Sequence, residues 1–172
     1  MRKAALAGLL LAALLGSFFV TLKLLDTGAP PSTAEIDQSD AGRLASRSVS
    51  DRSELIEAAV GMGLHASARM RGSVDAIKRI DESKIAIAGW LVDPNSEGEF
   101  LDVIVFIAGK KGGMTQTRGE RPDVTKALGL SAGAEKNVAF HVSSRCKVGD
   151  QLVIVGVGTD KQYLYLSSAR CP

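Results

Sequence analysis

The sequence predicts an all-β fold: a seven-stranded immunoglobulin-like β-sandwich with one short connecting helix, preceded by a transmembrane helix and a short stalk helix. Three observations predict it. From Gly72 onward, short apolar runs alternate with polar positions and are separated by turn residues, the pattern of an all-β sandwich or barrel. From Ala4 to Leu22 no residue is charged. Between the two lies a Pro-, Ser- and Asp-rich stretch, then one run of helical spacing. The expected organisation is residues 1–25 as an N-terminal transmembrane anchor (or uncleaved signal), 26–50 as a flexible linker, 51–71 as the stalk helix and 72–172 as the sandwich.

A chain of 172 residues has room for one ordinary domain. Its net charge of +2 rests on Arg2, Lys3 and Lys23 beside the apolar run. With those three set aside from the 21 basic residues, the rest of the chain sums to about −1 against 19 acidic ones. A nucleic-acid partner therefore finds no basic footprint. Aromatic residues are 5% of the chain, so any stacking surface is small.

Nineteen helical residues from Ala4 to Leu22 span about 28 Å, close to the hydrocarbon thickness of a bilayer. Arg2 and Lys3 precede the run, while Asp26, Glu35, Asp37 and Asp40 follow it. The positive-inside bias then puts the N-terminus in the cytoplasm and exports the remainder, making the chain a single-pass membrane protein. The rival reading is a cleaved signal peptide, which needs a shorter apolar core and an A-x-A-like site directly after it. Thr27-Gly28-Ala29 is followed by Pro30 and Pro31, and Ser32-Thr33-Ala34 lies far beyond the run, so the anchor is favoured. Both readings export the domain.

Residues 26–50 hold few large apolar side chains and read as a tether. Asp51 with Glu54 three residues on is a capping box, after which Leu55, Ile56, Ala59, Val60 and Leu64 recur at helical spacing. Gly61 and Gly63 each weaken that helix by about 1 kcal/mol relative to alanine. It either rests on its own domain or serves as a partner-binding or self-associating stalk.

The strands are expected over Ser73–Ile80, Lys84–Val92, Phe100–Ala108, Met114–Arg118, Asn137–Ser143, Gln151–Gly158 and Gln162–Ser168. Pro94 stops the second. The third carries Leu101, Val103, Val105 and Ile107 on one face and Ile104 and Phe106 on the other, so it should be central. Lys110-Lys111-Gly112-Gly113 reads as the next turn, and Thr159-Asp160-Lys161 as the hairpin before the last strand. Between strands four and five, Pro122 near a start and Gly129 after an end fit one or two helical turns. An immunoglobulin-like strand order and other sandwich topologies fit this pattern alike.

Cys146 and Cys171 are the two cysteines, and an even count in an exported domain favours a disulfide. If Gly158 faces Gln162, Cys171 falls opposite Gly149 and within reach of Cys146, so a bridge would staple the C-terminus.

Three motifs stand in order: Gly72-Ser73-Val74-Asp75, Gly89-Trp90-Leu91-Val92-Asp93, and Arg121-Pro122-Asp123-Val124 with Ala127 and Gly129. Together, over Gly72 to Ser168, they resemble a β-sandwich module that recurs in bacterial envelope proteins, often beside glycosyltransferases and other surface-polysaccharide proteins. The resemblance implies no catalytic residues, because that family has no settled activity. This chain departs from it at Val138-Ala139-Phe140, where the family carries Gly-Phe, which implies a differently shaped edge.

Each motif residue carries two readings. Trp90 either fills the space left by Ala86 and Ala88 on its strand face or offers a sugar-stacking platform. Tyr163 and Tyr165 share a strand face and form either a platform or part of the core. Arg121 pairs with Asp93 or Asp123, holding Pro122 and the short helix against the second strand, or recognises an anion. The candidate ligand-binding residues are thus Trp90, Tyr163, Tyr165 and Arg121, and the structural ones Asp93, Arg121, Pro122 and Asp123. Lys78-Arg79 and Lys110-Lys111 read as solvated charge.

No G-x-S-x-G elbow, Walker loop, H-E-x-x-H or C-x-x-C is present in the sequence. His65 falls in the stalk, His141 faces outward on its strand, and Glu97 and Glu99 share a loop with Gly98. The expectation is a non-catalytic protein with no cofactor or metal: a membrane-anchored periplasmic accessory or scaffold that binds another envelope protein. The alternative is a carbohydrate-binding module for cell-surface glycan.

Overall fold

The computed structural model of the chain describes residues 39–131 and 134–172. The anchor expected over residues 4–22 and the first half of the expected linker lie outside the described residues. Among those described, no helix is long and apolar enough to cross a membrane.

Among the described residues eight strands form two sheets. They are β1 (His65–Ala66), β2 (Arg71–Arg79), β3 (Lys84–Val92), β4 (Asp102–Ile107), β5 (Lys110–Gln116), β6 (Ala139–Arg145), β7 (Gln151–Val157) and β8 (Gln162–Arg170). The larger sheet runs β1-β8-β7-β4-β5 and the smaller β2-β3-β6. All pairs are antiparallel except β1 with β8. Among the described residues three α-helices, α1 (Asp40–Ala45), α2 (Arg52–Gly61) and α3 (Pro122–Leu128), and one 3-10 turn (Ala134–Asn137) accompany them. The fold is an all-β sandwich with a few short helices.

Between the sheets, Ile85, Ile87, Leu91, Phe140 and Val142 of the smaller meet Val103, Val105, Leu152 and Ile154 of the larger. The other face of the larger sheet is buried as well. There Ile104, Phe106, Val153, Val155 and Tyr163 pack with Leu44, Val49, Leu55 and Ala59 from the segment containing α1 and α2. Burial on both faces explains why β4 and β7 are nearly continuous apolar runs whereas β3 and β6 alternate. The expected division of β4 into two apolar faces is the observed one, and β4 lies between β7 and β5.

Four local expectations need correction. The tether expected over residues 26–50 does not reach residue 50. From Ser39 onward the chain is folded: Ser39 Oγ caps α1 by accepting from Gly42 N at 2.9 Å, and Val49 N donates to Gly109 O at 2.9 Å. A six-residue helix has almost no autonomous stability, so it exists because Ala41, Leu44 and Ala45 find an apolar sheet face. The stalk expected over residues 51–71 is helical only to Gly61, and it rests on its own domain through Leu55 and Ala59. Its N-terminal capping box is present, with Asp51 Oδ1 accepting from Glu54 N at 2.9 Å. Downstream of it, β1 adds an eighth strand to the expected seven, two residues being too short to show alternation.

The turn expected at residues 110–113 is instead the two-residue hairpin Ala108-Gly109, with φ of 48° and 79°. Both central positions of a type I′ hairpin require positive φ, and Gly109 supplies one of them without strain. Lys110 to Gly113 consequently belong to β5. The hairpin at Thr159-Asp160-Lys161 is as expected, with Gly158 N donating to Gln162 O at 2.8 Å. At its open end Gly149 N donates to Cys171 O at 3.0 Å, and Cys146 and Cys171 are disulfide-bonded with Cα atoms 6.3 Å apart. Finally, α3 begins at Pro122 and ends in left-handed Gly129, a connection rather than a layer.

Candidate functional site

The three sequence motifs meet on the smaller sheet. A bulge between Val74 and Ala76 leaves Asp75 out of the ladder with β3, and such an extra residue is free to re-aim its side chain. Arg121, at the start of α3, donates from Nη1 to Asp75 Oδ2 at 2.6 Å. Its Nε and Nη2 each donate to Asp123 at 2.8 Å, a bidentate pair. Those hydrogen bonds hold the Asp123 carboxyl down at about 2 and push the guanidinium further up. The expected pairing with Asp123 is thus present, but the second partner is Asp75 and not Asp93. Asp93 is 1% exposed and faces elsewhere: it accepts from Asn95 N at 3.0 Å and lies 3.9 Å from Arg69 Nη2. A bulge changes which residue faces the helix, and period-two reasoning from sequence does not anticipate it.

Trp90 is half-buried and packs in an apolar cluster with Val92, Val124, Val138 and Leu130, so α3 lies against it. The departure Val138-Ala139-Phe140 is buried beside it, with Ala139 bridged to Gly119. The tyrosines lie on the outer face of the other sheet. Tyr163 is buried in the cluster beneath α1 and α2, and the Arg52 guanidinium stands 5.1 Å from the ring centroid of half-buried Tyr165. A cleft of about 210 Å³ between α2 and β8 borders both rings and is closed on one side by Leu55 and Ile56. Trp90 and the tyrosines are therefore on opposite sides of the sandwich, and each is engaged by a helix of its own domain.

His65 and His141 are exposed and far apart in the fold, on β1 and β6 of different sheets. Glu97 accepts from Ser131 through both its backbone N–H and its hydroxyl, which ties two loops together. Among the described residues no group of three or more His, Cys, Asp or Glu could hold a metal ion.

Sequence reasoning missed a cleft of about 600 Å³ between the edges of β5 and β6. Lys84, Lys111 and Arg145 stand at it, with Ser143 and Ser144. Lys111 read as solvated charge, and nothing in the linear pattern brings it to Arg145, 34 positions on. Comparison of the chain with protein-family models, curated proteins and solved structures finds no match.

Proposed function

We propose that the chain is a membrane-anchored periplasmic accessory or scaffold protein, non-catalytic, that binds another envelope protein. Residues 4–22 anchor it in a bacterial inner membrane with the N-terminus cytoplasmic and the disulfide-stapled sandwich outside. The observation that carries this reading is on α2. While Leu55 and Ala59 are fully buried, Ile56 and Val60, four positions apart on one helix face, are 42% and 65% exposed. An apolar pair held rigidly outward by a docked helix is a surface that a partner protein covers. Arg121, Trp90 and Tyr163, the residues best suited to recognise a small ligand, are at the same time taken up by contacts within the domain.

The strand order supports the finer fold reading. Numbered from β2, the sheets are 1-2-5 and 7-6-3-4, the arrangement of an immunoglobulin-like sandwich whose fourth strand has joined the larger sheet. The resemblance to envelope β-sandwich modules enters as support too, since Asp75, Trp90 and Arg121 come from the three motifs and converge at α3.

The test is a pull-down of the full-length chain from detergent-solubilised membranes, beside a chain lacking residues 1–25, read by mass spectrometry. A stoichiometric envelope protein captured by the first is the expected result. Crosslinking in membranes that recovers only monomer would overturn the proposal. The second reading, a glycan-binding module, draws no support from the packed aromatic residues and rests on the cleft between β5 and β6.

A further inference from the structure

We propose that the cleft between β5 and β6 binds an acidic oligosaccharide, with Lys84, Lys111 and Arg145 holding its anionic groups and the exposed Ser143 bonding one of its hydroxyls. The proposal takes up the glycan reading and is independent of the protein-partner reading. Three observations carry it.

The first is size and lining: about 600 Å³, with Ile80 the sole apolar side chain among the residues that border it, lies within the range of small-ligand sites. The second is unspent charge. Three arginines are committed elsewhere: Arg121 to two aspartates, Arg69 to Asp93 and Asp160, Arg79 to the Pro172 carbonyl. Lys84, Lys111 and Arg145 have no carboxylate within ion-pair distance among the described residues. The one carboxylate on the cleft, Asp81, accepts from Ser83 N at 2.8 Å and Ser83 Oγ at 3.1 Å and also attracts Lys84, so Lys111 and Arg145 are the charges with no acidic neighbour of their own.

The third observation is the closeness of the two edges. A Cβ on Gly113 would stand 2.7 Å from Ser144 Oγ and 2.9 Å from Val142 Cγ2. Adding a peptide strand between them needs about 4.8 Å on each side, which this approach denies. The site therefore suits a hydroxyl-rich anion better than a peptide strand.

The test is calorimetric titration of the full-length chain in non-ionic detergent micelles with three probes: a galacturonic acid tetramer, a neutral galactose tetramer and hexaglutamate. The acidic tetramer should bind at least about tenfold more tightly than the other two, and binding should fade in about 0.5 M salt. Lys111→Gln with Arg145→Gln should weaken it about tenfold, both replacements being on exposed side chains that leave the fold intact. Equal affinity for the neutral tetramer, equal affinity for hexaglutamate, unchanged binding by the double variant, or no heat from any probe would each overturn the proposal. None of these outcomes bears on the pull-down, so the two readings fail separately.

Discussion

The two sheets are covered very differently. The larger is buried on both faces, by the smaller sheet on one side and by α1 and α2 on the other, whereas the smaller has α3 over its Trp90 end and is otherwise open. Ala86 and Ala88 lie half-buried on that open face beside exposed Lys84, His141, Ser143 and Arg145. The difference teaches where this protein keeps its stability and where it keeps surface. Large apolar side chains on both sides of β4 and β7 make the larger sheet the structural centre. The smaller sheet contributes one face to the core and offers the other, with its β6 edge, to solvent.

Removing the staple should test that centre most severely. Cys146→Ser with Cys171→Ser opens a loop of 25 residues and should cost roughly 3 to 4 kcal/mol, read as a lower denaturation midpoint that reductant no longer changes. The helical layer is next. Leu44→Ala should cost about 3 kcal/mol, as a buried core leucine does. A loss below about 0.5 kcal/mol, the scale of a surface change, would mean that α1 is no part of the folded unit and that α2 alone covers this face of the larger sheet.

The α3 junction should respond less strongly, because its groups are partly solvated. Asp75→Ala should cost on the order of 0.5 to 1 kcal/mol by thermal denaturation, and Arg121→Lys should lose the bidentate pairing with Asp123. Asp123 supplies a pH signature. Its folded carboxyl, held down at about 2 by Arg121, ionises more readily than the value of 3.8 for the unfolded chain. Its stabilising contribution is therefore full above that unfolded value and disappears as pH falls toward 2. Asp123→Asn should thus destabilise at neutral pH, with a deficit that shrinks below about 3.8 and closes as the pH falls through about 2; a deficit that persists in stronger acid would assign the effect to packing. Smallest for stability is Ile56→Glu with Val60→Glu, expected within about 0.5 kcal/mol of the parent. That variant should nevertheless abolish partner capture, and undiminished capture would move the protein interface off α2.

Much of the sandwich was legible because its signals are local. Pro94 after β3, Pro122 and Gly129 around α3, and the alternation of β3 and β6 each follow from backbone geometry within a few residues. The disulfide was legible too, since a hairpin's register carries one cysteine to the other by counting. The candidate site was much less so. Trp90, Tyr163, Tyr165 and Arg121 were distinguishable as residues, but their roles depended on α3, α2 and the bulge at Asp75, none of which announces its packing partner in linear order. The 600 Å³ cleft was invisible for the same reason, its walls coming from β2–β3, β5 and β6.

Strand periods, turn residues and cysteine spacing thus specify an all-β, disulfide-bridged sandwich from the chain alone, because each is a constraint between near neighbours or along one hairpin. Whether residues 39–50 fold, which aspartate Arg121 holds and which cations share a cleft were settled by packing. Short helices, bulges and edge-to-edge contacts have no autonomous stability: they form where a distant apolar face or an opposite charge is already in place.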